Sequence, residues 1–177
     1  ITPTTGVTIS STLTCLGVAS DADGETLTES YSWRNATQST ALGTSTTLTL
    51  DPAIVTVGDV VECLYVVTDS WGEQDSKTTS IIIENTLPVV DSVSLSPTPI
   101  YTNDTLTATV SLSDDDSTQT LTATYEWHVI DFATGIDSIV QTGSDYIFSG
   151  VSYFDRDDEV YVVVIPNDGV DDGSAVT

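Results

Sequence analysis

The sequence predicts an all-β protein made of two tandem antiparallel β-sandwich domains. Short runs rich in Val, Ile, Leu, Tyr and Thr recur along the 177 residues, and turn residues separate these runs. A pattern of about 90 residues also occurs twice, which is the size of one β-sandwich of about seven strands. No segment of ten residues shows helical spacing of its apolar positions.

Matching segments reveal the two copies. They are 12–15 (TLTC) with 105–108 (TLTA), 20–23 (SDAD) with 113–116 (SDDD), 31–33 (YSW) with 125–127 (YEW), and 59–63 (DVVEC) with 158–162 (DEVYV). We therefore place domain 1 at residues 1–86 and domain 2 at residues 87–177. The boundary falls near 85–88 (NTLP), which is too short for a flexible linker.

Five of the expected strands can be placed in each copy, because β-branched and aromatic residues concentrate between turn signals such as Asp23-Gly24, Asp51-Pro52 and Trp71-Gly72. In the first copy the strands are 12–18, 27–33, 44–50, 60–68 and 77–83. In the second they are 89–95, 104–112, 121–129, 145–148 and 159–165, with a hairpin around Thr134-Gly135.

The two copies differ at their ends. The first has no counterpart of the strand at 89–95, and the second has no full counterpart of the strand at 77–83. We expect an incomplete first strand in domain 1 and an incomplete last strand in domain 2. Either the segment belongs to a longer array, or a neighbouring chain completes these edges by strand donation.

The composition is strongly acidic, with 27 Asp and Glu against 3 Lys and Arg and a formal net charge of −24. This charge excludes nucleic-acid binding and attraction to an anionic membrane surface. The longest apolar run, 160–165, is far shorter than the roughly 20 residues of a membrane helix, so we expect no membrane insertion in this segment. The carboxylates cluster between the apolar runs, which indicates acidic turns rather than disorder.

Four motifs of the first copy carry a resemblance to a known family: 20–28 (SDADGETLT), 31–33 (YSW), 57–63 (VGDVVEC) and 67–69 (VTD). Together they resemble the tandem Ig-like, PKD- or cadherin-like repeats of very large prokaryotic surface proteins. The resemblance covers both copies. It implies Ig-like sandwiches, an extracellular or cell-surface location, and a role in a stalk, adhesin shaft or filament.

The order Cys15, Trp33, Cys63 resembles the immunoglobulin pattern, which implies a disulfide between the two sheets with the indole packed against it. The second copy has Ala108 and Val162 at the two cysteine positions, and this supports the pairing because both positions must then be buried and face each other. The alternative is two unpaired buried thiols. A disulfide implies an oxidising compartment outside the cytoplasm.

Asn35 and Asn103 each begin an N-x-[ST] triplet, which makes them candidate glycosylation sites. Such triplets also arise by chance in a chain this rich in threonine. The motif agrees with an extracellular location without establishing it.

Acidic loops are predicted to meet at one end of each sandwich, because the loop after the second strand and the loop after the sixth share that end. Calcium takes 6–8 oxygen ligands, and converging carboxylates supply them. We expect calcium at Asp21, Asp23, Asp69 and Asp75 in the first copy and at Asp114, Asp116, Asp168 and Asp171 in the second. Glu25 and Glu73 lie in the same loops, and Asp59 and Glu84 are expected to approach the second site. The alternative is adaptation to salty surroundings. In that case the acidic residues only keep the protein hydrated and keep protein molecules apart by charge repulsion.

The sequence does not predict an enzyme. The single histidine, His128, adjoins Trp127 on a predicted strand, and the chain has no nucleophile elbow, metal-binding helix motif or phosphate loop. We expect a structural or adhesive module whose partners are neighbouring repeats or like subunits. The alternative is a module that binds a glycan or a protein through loop ends or a sheet face. A buried Trp71 would favour the first, and a Trp71 exposed on a concave face would favour the second.

Overall fold

The computed structural model describes all 177 residues, and it confirms the all-β, antiparallel fold class. Apart from one short 3₁₀ turn at Gly150–Ser152, the regular elements are strands. The chain divides into two compact units, Ile1–Thr86 (unit 1) and Leu87–Thr177 (unit 2).

Unit 1 has two antiparallel sheets. Its strands are β1 (Thr12–Thr14), β2 (Thr28–Asn35), β3 (Thr40–Gly43), β4 (Thr47–Thr49), β5 (Val60–Thr68) and β6 (Gln74–Ile82). One sheet has the order β3-β2-β5-β6, and the other consists of β1 and β4. Buried side chains from both sheets form one core, as expected for a β-sandwich.

Unit 2 also has two antiparallel sheets. Its strands are β7 (Val89–Ser96), β8 (Thr105–Ser113), β9 (Thr122–Ile130), β10 (Asp137–Gly143), β11 (Ile147–Ser149) and β12 (Glu159–Asn167). The sheet orders are β10-β9-β12 and β11-β8-β7. Unit 2 therefore has a strand before β8 that unit 1 lacks before β1, whereas unit 1 has the full strand β6 where unit 2 has only isolated bridges, such as Val164 to Val176.

A buried tryptophan lies at the centre of unit 1. Trp33 is almost fully enclosed, and its Nε1 donates a hydrogen bond to the Ser45 carbonyl oxygen at 2.8 Å. Beside it, a disulfide joins Cys15 and Cys63, whose Cα atoms are 6.4 Å apart. Cys15 follows β1 and Cys63 lies in β5, so the bond connects the two sheets, and the predicted pairing is present. A structural disulfide indicates a compartment more oxidising than the cytoplasm.

The core of unit 2 also surrounds a buried tryptophan, but it contains no disulfide. Trp127 is fully buried, donates from Nε1 to the Asp145 carbonyl oxygen at 3.1 Å, and stacks on Phe148 with ring centroids 5.1 Å apart. Ala108 and Val162 are buried in this core at the positions that correspond to the two cysteines.

The predicted strand bounds are accurate where a strand is buried and paired. The prediction of 60–68 coincides with β5, and the hairpin turn around Thr134-Gly135 is present, with the Gly135 N–H donating to the Asp131 carbonyl at 2.7 Å. The prediction of 12–18 is too long, because β1 ends at Thr14 and the following residues have no ladder partner. Strands β3 and β10 are absent from the prediction, since they are mostly exposed and lack a clear apolar alternation.

The disulfide should stabilise unit 1 selectively. The variant Cys15→Ala/Cys63→Val reproduces the residue pair of unit 2, and we expect unit 1 to lose about 2–4 kcal/mol of unfolding free energy. The closed loop restricts the unfolded chain over a sequence separation of 48 residues. Hydrogen exchange in increasing urea, followed for peptides of each unit separately, measures the loss.

A reducing agent provides the matching control. It should destabilise unit 1 of the wild type by the same amount and leave the double variant unchanged. Equal destabilisation of unit 2 would contradict the prediction that the disulfide stabilises unit 1 alone.

Candidate metal site and the adjoining cleft of unit 1

Three carboxylates of unit 1 converge on one point. Asp21, Glu25 and Asp69 each offer an oxygen atom, and these atoms all lie within 4.8 Å of one another. The pairing of β2 with β5 explains the convergence. Thr28 at the start of β2 stands opposite Thr68 at the end of β5, so the loop before β2 meets the turn after β5. We call these three residues the acidic triad.

Turn geometry fixes the two aspartates of the triad. Asp21 Oδ1 accepts the N–H of Asp23 at 2.7 Å, and Asp69 Oδ1 accepts the N–H groups of Trp71 at 2.9 Å and Glu73 at 2.8 Å. An aspartate that caps its own turn in this way holds the local backbone in place. Each side chain is therefore positioned by main-chain atoms of its own loop.

Gly72 allows the turn that Asp69 caps to close. Gly72 has a φ of +90°, a conformation that a residue with a Cβ adopts only at a cost. The turn presents the Trp71 indole towards the triad, and Trp71 Nε1 donates to Glu25 Oε1. Glu25 is thus oriented by a side chain from the opposite loop.

The triad has no positive charge paired with it. The ion pairs of the structure are Arg34–Glu62, His128–Asp137 and Arg156–Asp157, and none includes a triad residue. Two carboxylates at this separation repel by about 1 kcal/mol even in water. In each triad residue the hydrogen bonds use one carboxylate oxygen and leave the other without a protein donor. A bound cation would relieve the repulsion and use those oxygens.

The triad coincides only in part with the ligands predicted for unit 1. Asp21 and Asp69 come together as expected, but Asp23 and Asp75 are not part of the cluster. Asp23 lies at the exposed tip of its turn, and its backbone N–H donates a hydrogen bond to Asp21 Oδ1. Asp75 lies in β6 opposite Val67, and its Oδ1 accepts the N–H of Ser76.

In unit 2 the predicted ligands lie on two turns. Asp114 and Asp116 follow β8, and Asp168 and Asp171 follow β12. Asp116 and Asp168 are both buried. Asp168 Oδ1 accepts the N–H groups of Val170 and Asp171, each at 2.7 Å. The calcium expected at these four residues remains a prediction.

Asp59 and Asn35 form a buried polar cluster inside unit 1. Asp59 Oδ2 accepts hydrogen bonds from Asn35 Nδ2 at 2.7 Å, from Gln38 Nε2 at 2.8 Å and from the Thr56 N–H at 2.9 Å. Asn35 is fully buried and its amide is engaged, so a glycan on this residue does not fit the folded structure. Asn103 is exposed and remains a candidate.

The two acids expected to approach the second site both have partners within unit 1. Asp59 is buried in the cluster just described. Glu84 Oε1 accepts the N–H of Gly6 at 2.9 Å, which ties the last segment of the unit to its first residues.

A cleft of about 640 Å³ adjoins the triad and shares Asp21 and Asp69 with it. Tyr65 forms part of its lining and packs so closely on Gly17 that any Cβ at position 17 would overlap the phenol ring. The Tyr65 hydroxyl donates to Glu29 Oε1 at 3.0 Å. Burial first, and then this hydrogen bond, raise the pKa of Tyr65 to about 12.

Trp71 is 84% exposed. Its ring projects from the turn into solvent while its N–H contacts Glu25. Within unit 1 this residue is therefore exposed rather than buried.

His128 lies on the sheet of unit 2, on the face opposite Trp127. Its ring stacks on Tyr161 with centroids 4.5 Å apart, and Nδ1 is 3.0 Å from both Asp137 Oδ1 and the Tyr161 hydroxyl. The Tyr161 hydroxyl donates to Asp137, and this bond, followed by the His128 contact, lowers the pKa of Asp137. This position matches the predicted sheet-face role of His128.

Compared with known proteins, the chain matches no protein-family model and no curated protein sequence. None of its helical segments has the length and apolar character needed to cross a membrane.

The ionisation of Tyr65 should be shifted strongly towards alkaline pH. We expect the phenol to titrate near pH 12 rather than at its ordinary value of 10.0. Because the pKa is raised in the folded state, its contribution to stability is complete below pH 10 and is lost as the pH rises through about 12. The difference in absorbance at 295 nm between the wild type and Tyr65→Phe, followed during a pH titration, measures this pKa.

Glu29→Gln tests the second cause of the shift. This variant removes the negative charge of the acceptor and should lower the pKa of Tyr65 without returning it to 10, because burial remains. A wild-type difference signal that titrates near pH 10 would contradict the assignment.

Charge repulsion within the triad predicts that Asp69→Asn stabilises unit 1 when divalent cations are removed. Asparagine keeps the Oδ1 acceptor for the turn N–H groups but loses the charge. We expect a gain of about 1 kcal/mol in unfolding free energy at low ionic strength, declining as added salt screens the charges. Urea unfolding in excess chelator measures it.

Asp51→Asn is the matched control. Asp51 also caps a turn, with its Oδ1 accepting the Ala53 N–H at 2.9 Å, but it lies outside the triad. Equal gains in the two variants would show that the stabilisation comes from the lower net charge of the chain and not from relief of repulsion within the triad.

Proposed function

We propose that the chain is a structural or adhesive module of an extracellular, cell-surface stalk, adhesin shaft or filament, and that unit 1 binds calcium at the acidic triad. The observation that carries the proposal is the repetition of one sandwich plan in series. Both units bury a tryptophan at the equivalent position and pack their two sheets on one core. Their equivalent strands also have the same order in each sheet. Serial repetition of a fold sets length and spacing, which is what a stalk or filament needs.

The disulfide supports the proposed location. Disulfides persist in secreted and surface proteins and are rare in the reducing cytoplasm. The acidic surface is compatible with such a setting, because a net charge of −24 keeps molecules apart in solution.

Calcium is the cation that fits the triad best. The site offers carboxylate oxygens only, and two of its three residues lie in surface turns. Calcium accepts 6–8 oxygens in irregular geometry and completes its shell with carbonyls and water, whereas magnesium demands a near-octahedral shell. Sites of extracellular modules bind calcium with dissociation constants of about 10⁻⁴–10⁻³ M. Calcium at the unit 2 turns, and stiffening of the connection between the units, remain predictions.

The exposure of Trp71 favours a second candidate function. Tryptophan combines a large apolar ring with one polar N–H, and it is enriched where proteins bind partners. An exposed indole beside three carboxylates would suit a module that binds a glycan or a protein through this loop end. In that case the triad would orient the ring rather than hold a metal.

Thermal unfolding with calcium tests the main proposal. At 5 mM calcium, roughly ten times the expected dissociation constant, a site that binds only the folded state contributes about 1.4 kcal/mol. We expect the unfolding midpoint to rise by several degrees over the value in excess chelator. Glu25→Gln should remove most of the rise assigned to unit 1, whereas Asp51→Asn should keep it.

Two controls separate calcium binding from charge screening and from a recognition role. Sodium chloride at matched ionic strength should not reproduce the shift, since screening alone does not fill the site. If calcium leaves the midpoint unchanged while Trp71→Ala abolishes binding to a glycan or protein ligand, the second candidate function replaces the first.

A further inference from the structure

A second cleft, of about 500 Å³, opens in unit 2 on the side where β10 forms the edge of its sheet, and we call it the unit 2 cleft. Its lining comes from β9 and β10, from the hairpin turn between them, and from the connection between β11 and β12. The last residues of the chain pair with β12, as in the bridge from Val176 to Val164. Because β9 separates β12 from β10, the cleft does not lie at the edge where the chain ends.

The floor of the unit 2 cleft is apolar where unit 1 is polar. In unit 1, Asn35 donates to Asp59 inside the buried polar cluster. By their positions relative to the central tryptophan and to the following strand, the counterparts in unit 2 are Val129 and Asp158. Valine cannot donate to the carboxylate, and Asp158 is only half-buried and lines the cleft. Val129 and Phe154 are the buried residues of the lining and form its floor.

Apolar side chains at the mouth of the cleft are open to solvent. Ile136 is 60% exposed, Val151 is 67% exposed and Tyr153 is 44% exposed, and all three belong to the lining. Phe132, in the adjoining hairpin turn, is 72% exposed. Single exposed apolar residues are normal, but a group of them around one cleft marks a surface that binds a partner.

The charged groups of the cleft are all negative. Asp131, Asp155 and Asp158 line it, and no Lys or Arg does. Hydrogen bonds from the Thr134 hydroxyl and N–H lower the pKa of Asp131, so this carboxylate is ionised at neutral pH. The Asp155 carboxylate has no ion-pair partner, and the arginine next to it in the sequence pairs with Asp157 instead. The cleft therefore combines an apolar floor with negative charge that no basic residue of its lining neutralises.

Lysine and arginine side chains match this combination. Their aliphatic stems pack on apolar surface, and their charged heads form charge-assisted hydrogen bonds with carboxylates. A small organic cation would leave the exposed apolar side chains at the mouth uncovered, whereas a peptide covers them with the residues on each side of its basic residue. A second copy of this chain fits poorly, because it also carries a net charge of −24 and two of its three basic residues are in ion pairs.

We propose that the unit 2 cleft binds a basic segment of a partner protein, in which one arginine or lysine lies between two apolar residues. The basic head lies at Asp131, Asp155 and Asp158, and the flanking apolar residues cover Ile136 and Val151. The proposal goes beyond the calcium site of unit 1 and does not depend on it.

A pentapeptide with the sequence ALRLA, acetylated and amidated at its ends, is the probe. It is titrated into the full ¹⁵N-labelled chain in excess chelator, so that no divalent cation occupies the acidic triad. We expect saturable shift changes at the amides of Ser138, Val151 and Asp155 and none at Glu25 and Asp69. Citrulline in place of arginine keeps the shape and removes the charge, and it should weaken binding by about fivefold. Serine in place of both leucines should weaken binding by about tenfold.

Protein variants separate the cleft from general charge attraction. Asp155→Asn should weaken binding by about threefold. Asp115→Asn is the matched control, because Asp115 is also an exposed aspartate of unit 2 but lies in the turn after β8, outside the cleft. This control should leave the affinity nearly unchanged. Ser138→Tyr adds a ring to the cleft from an exposed strand position, so it should block binding and leave the unfolding midpoint nearly unchanged.

Four results would overturn the proposal. The first is no binding, or shift changes that spread over the acidic turns of both units without saturating at the cleft. The second is equal affinity for the arginine and citrulline peptides. The third is an equal loss of affinity in Asp155→Asn and Asp115→Asn. The fourth is binding of acetylated arginine amide as tight as that of the peptide, which would assign the cleft to a small organic cation. Every titration is made in chelator, so these results are independent of the calcium-dependent midpoint that tests the proposed function.

Discussion

The packing of two sheets on one buried indole is the constraint on which each unit depends. Trp33 and Trp127 are enclosed on all sides, and each satisfies its only polar group with a backbone carbonyl of the neighbouring segment. Once the indole is fixed, the alternation of every adjoining strand is fixed with it, because a shift of one residue would turn all apolar side chains outward. The positions of the loops and the acidic triad follow from that register.

The second constraint is charge. With 27 acids and 3 Lys and Arg, ion pairs cannot neutralise the carboxylates, so the chain satisfies many of them with backbone N–H groups instead. Asp21, Asp51, Asp69 and Asp131 all cap turns in this way, and hydrogen bonds from Thr134 lower the pKa of Asp131. The acids therefore define the turns of the fold. Where two such turns meet, in unit 1, three carboxylates come together in the acidic triad.

The sequence predicts best those parts of the molecule that are governed by burial. The all-β class, the strand at 60–68 and the pair Cys15–Cys63 depend on apolar or sulfur-containing residues whose spacing is visible in the chain. Exposed features are predicted less accurately. Asp23 and Glu25 lie in one loop, and only the three-dimensional path of the turn shows that the Glu25 carboxylate is the one that points to Asp69. Asn35 carries a surface motif, yet its side chain is buried on Asp59, a contact between residues 24 apart that no local pattern reveals.

The disulfide gives the two units different responses to mechanical force. A pull on the ends of unit 1 can extend only the residues outside the loop between Cys15 and Cys63, which are fewer than half of the unit, because the covalent bond carries the load across the rest. Unit 2 has no such bond and could be drawn out along its whole length. In a series of such pairs under tension, units of limited extension would alternate with units of large extension. The redox state of the disulfide in each pair would then set how far that pair can lengthen.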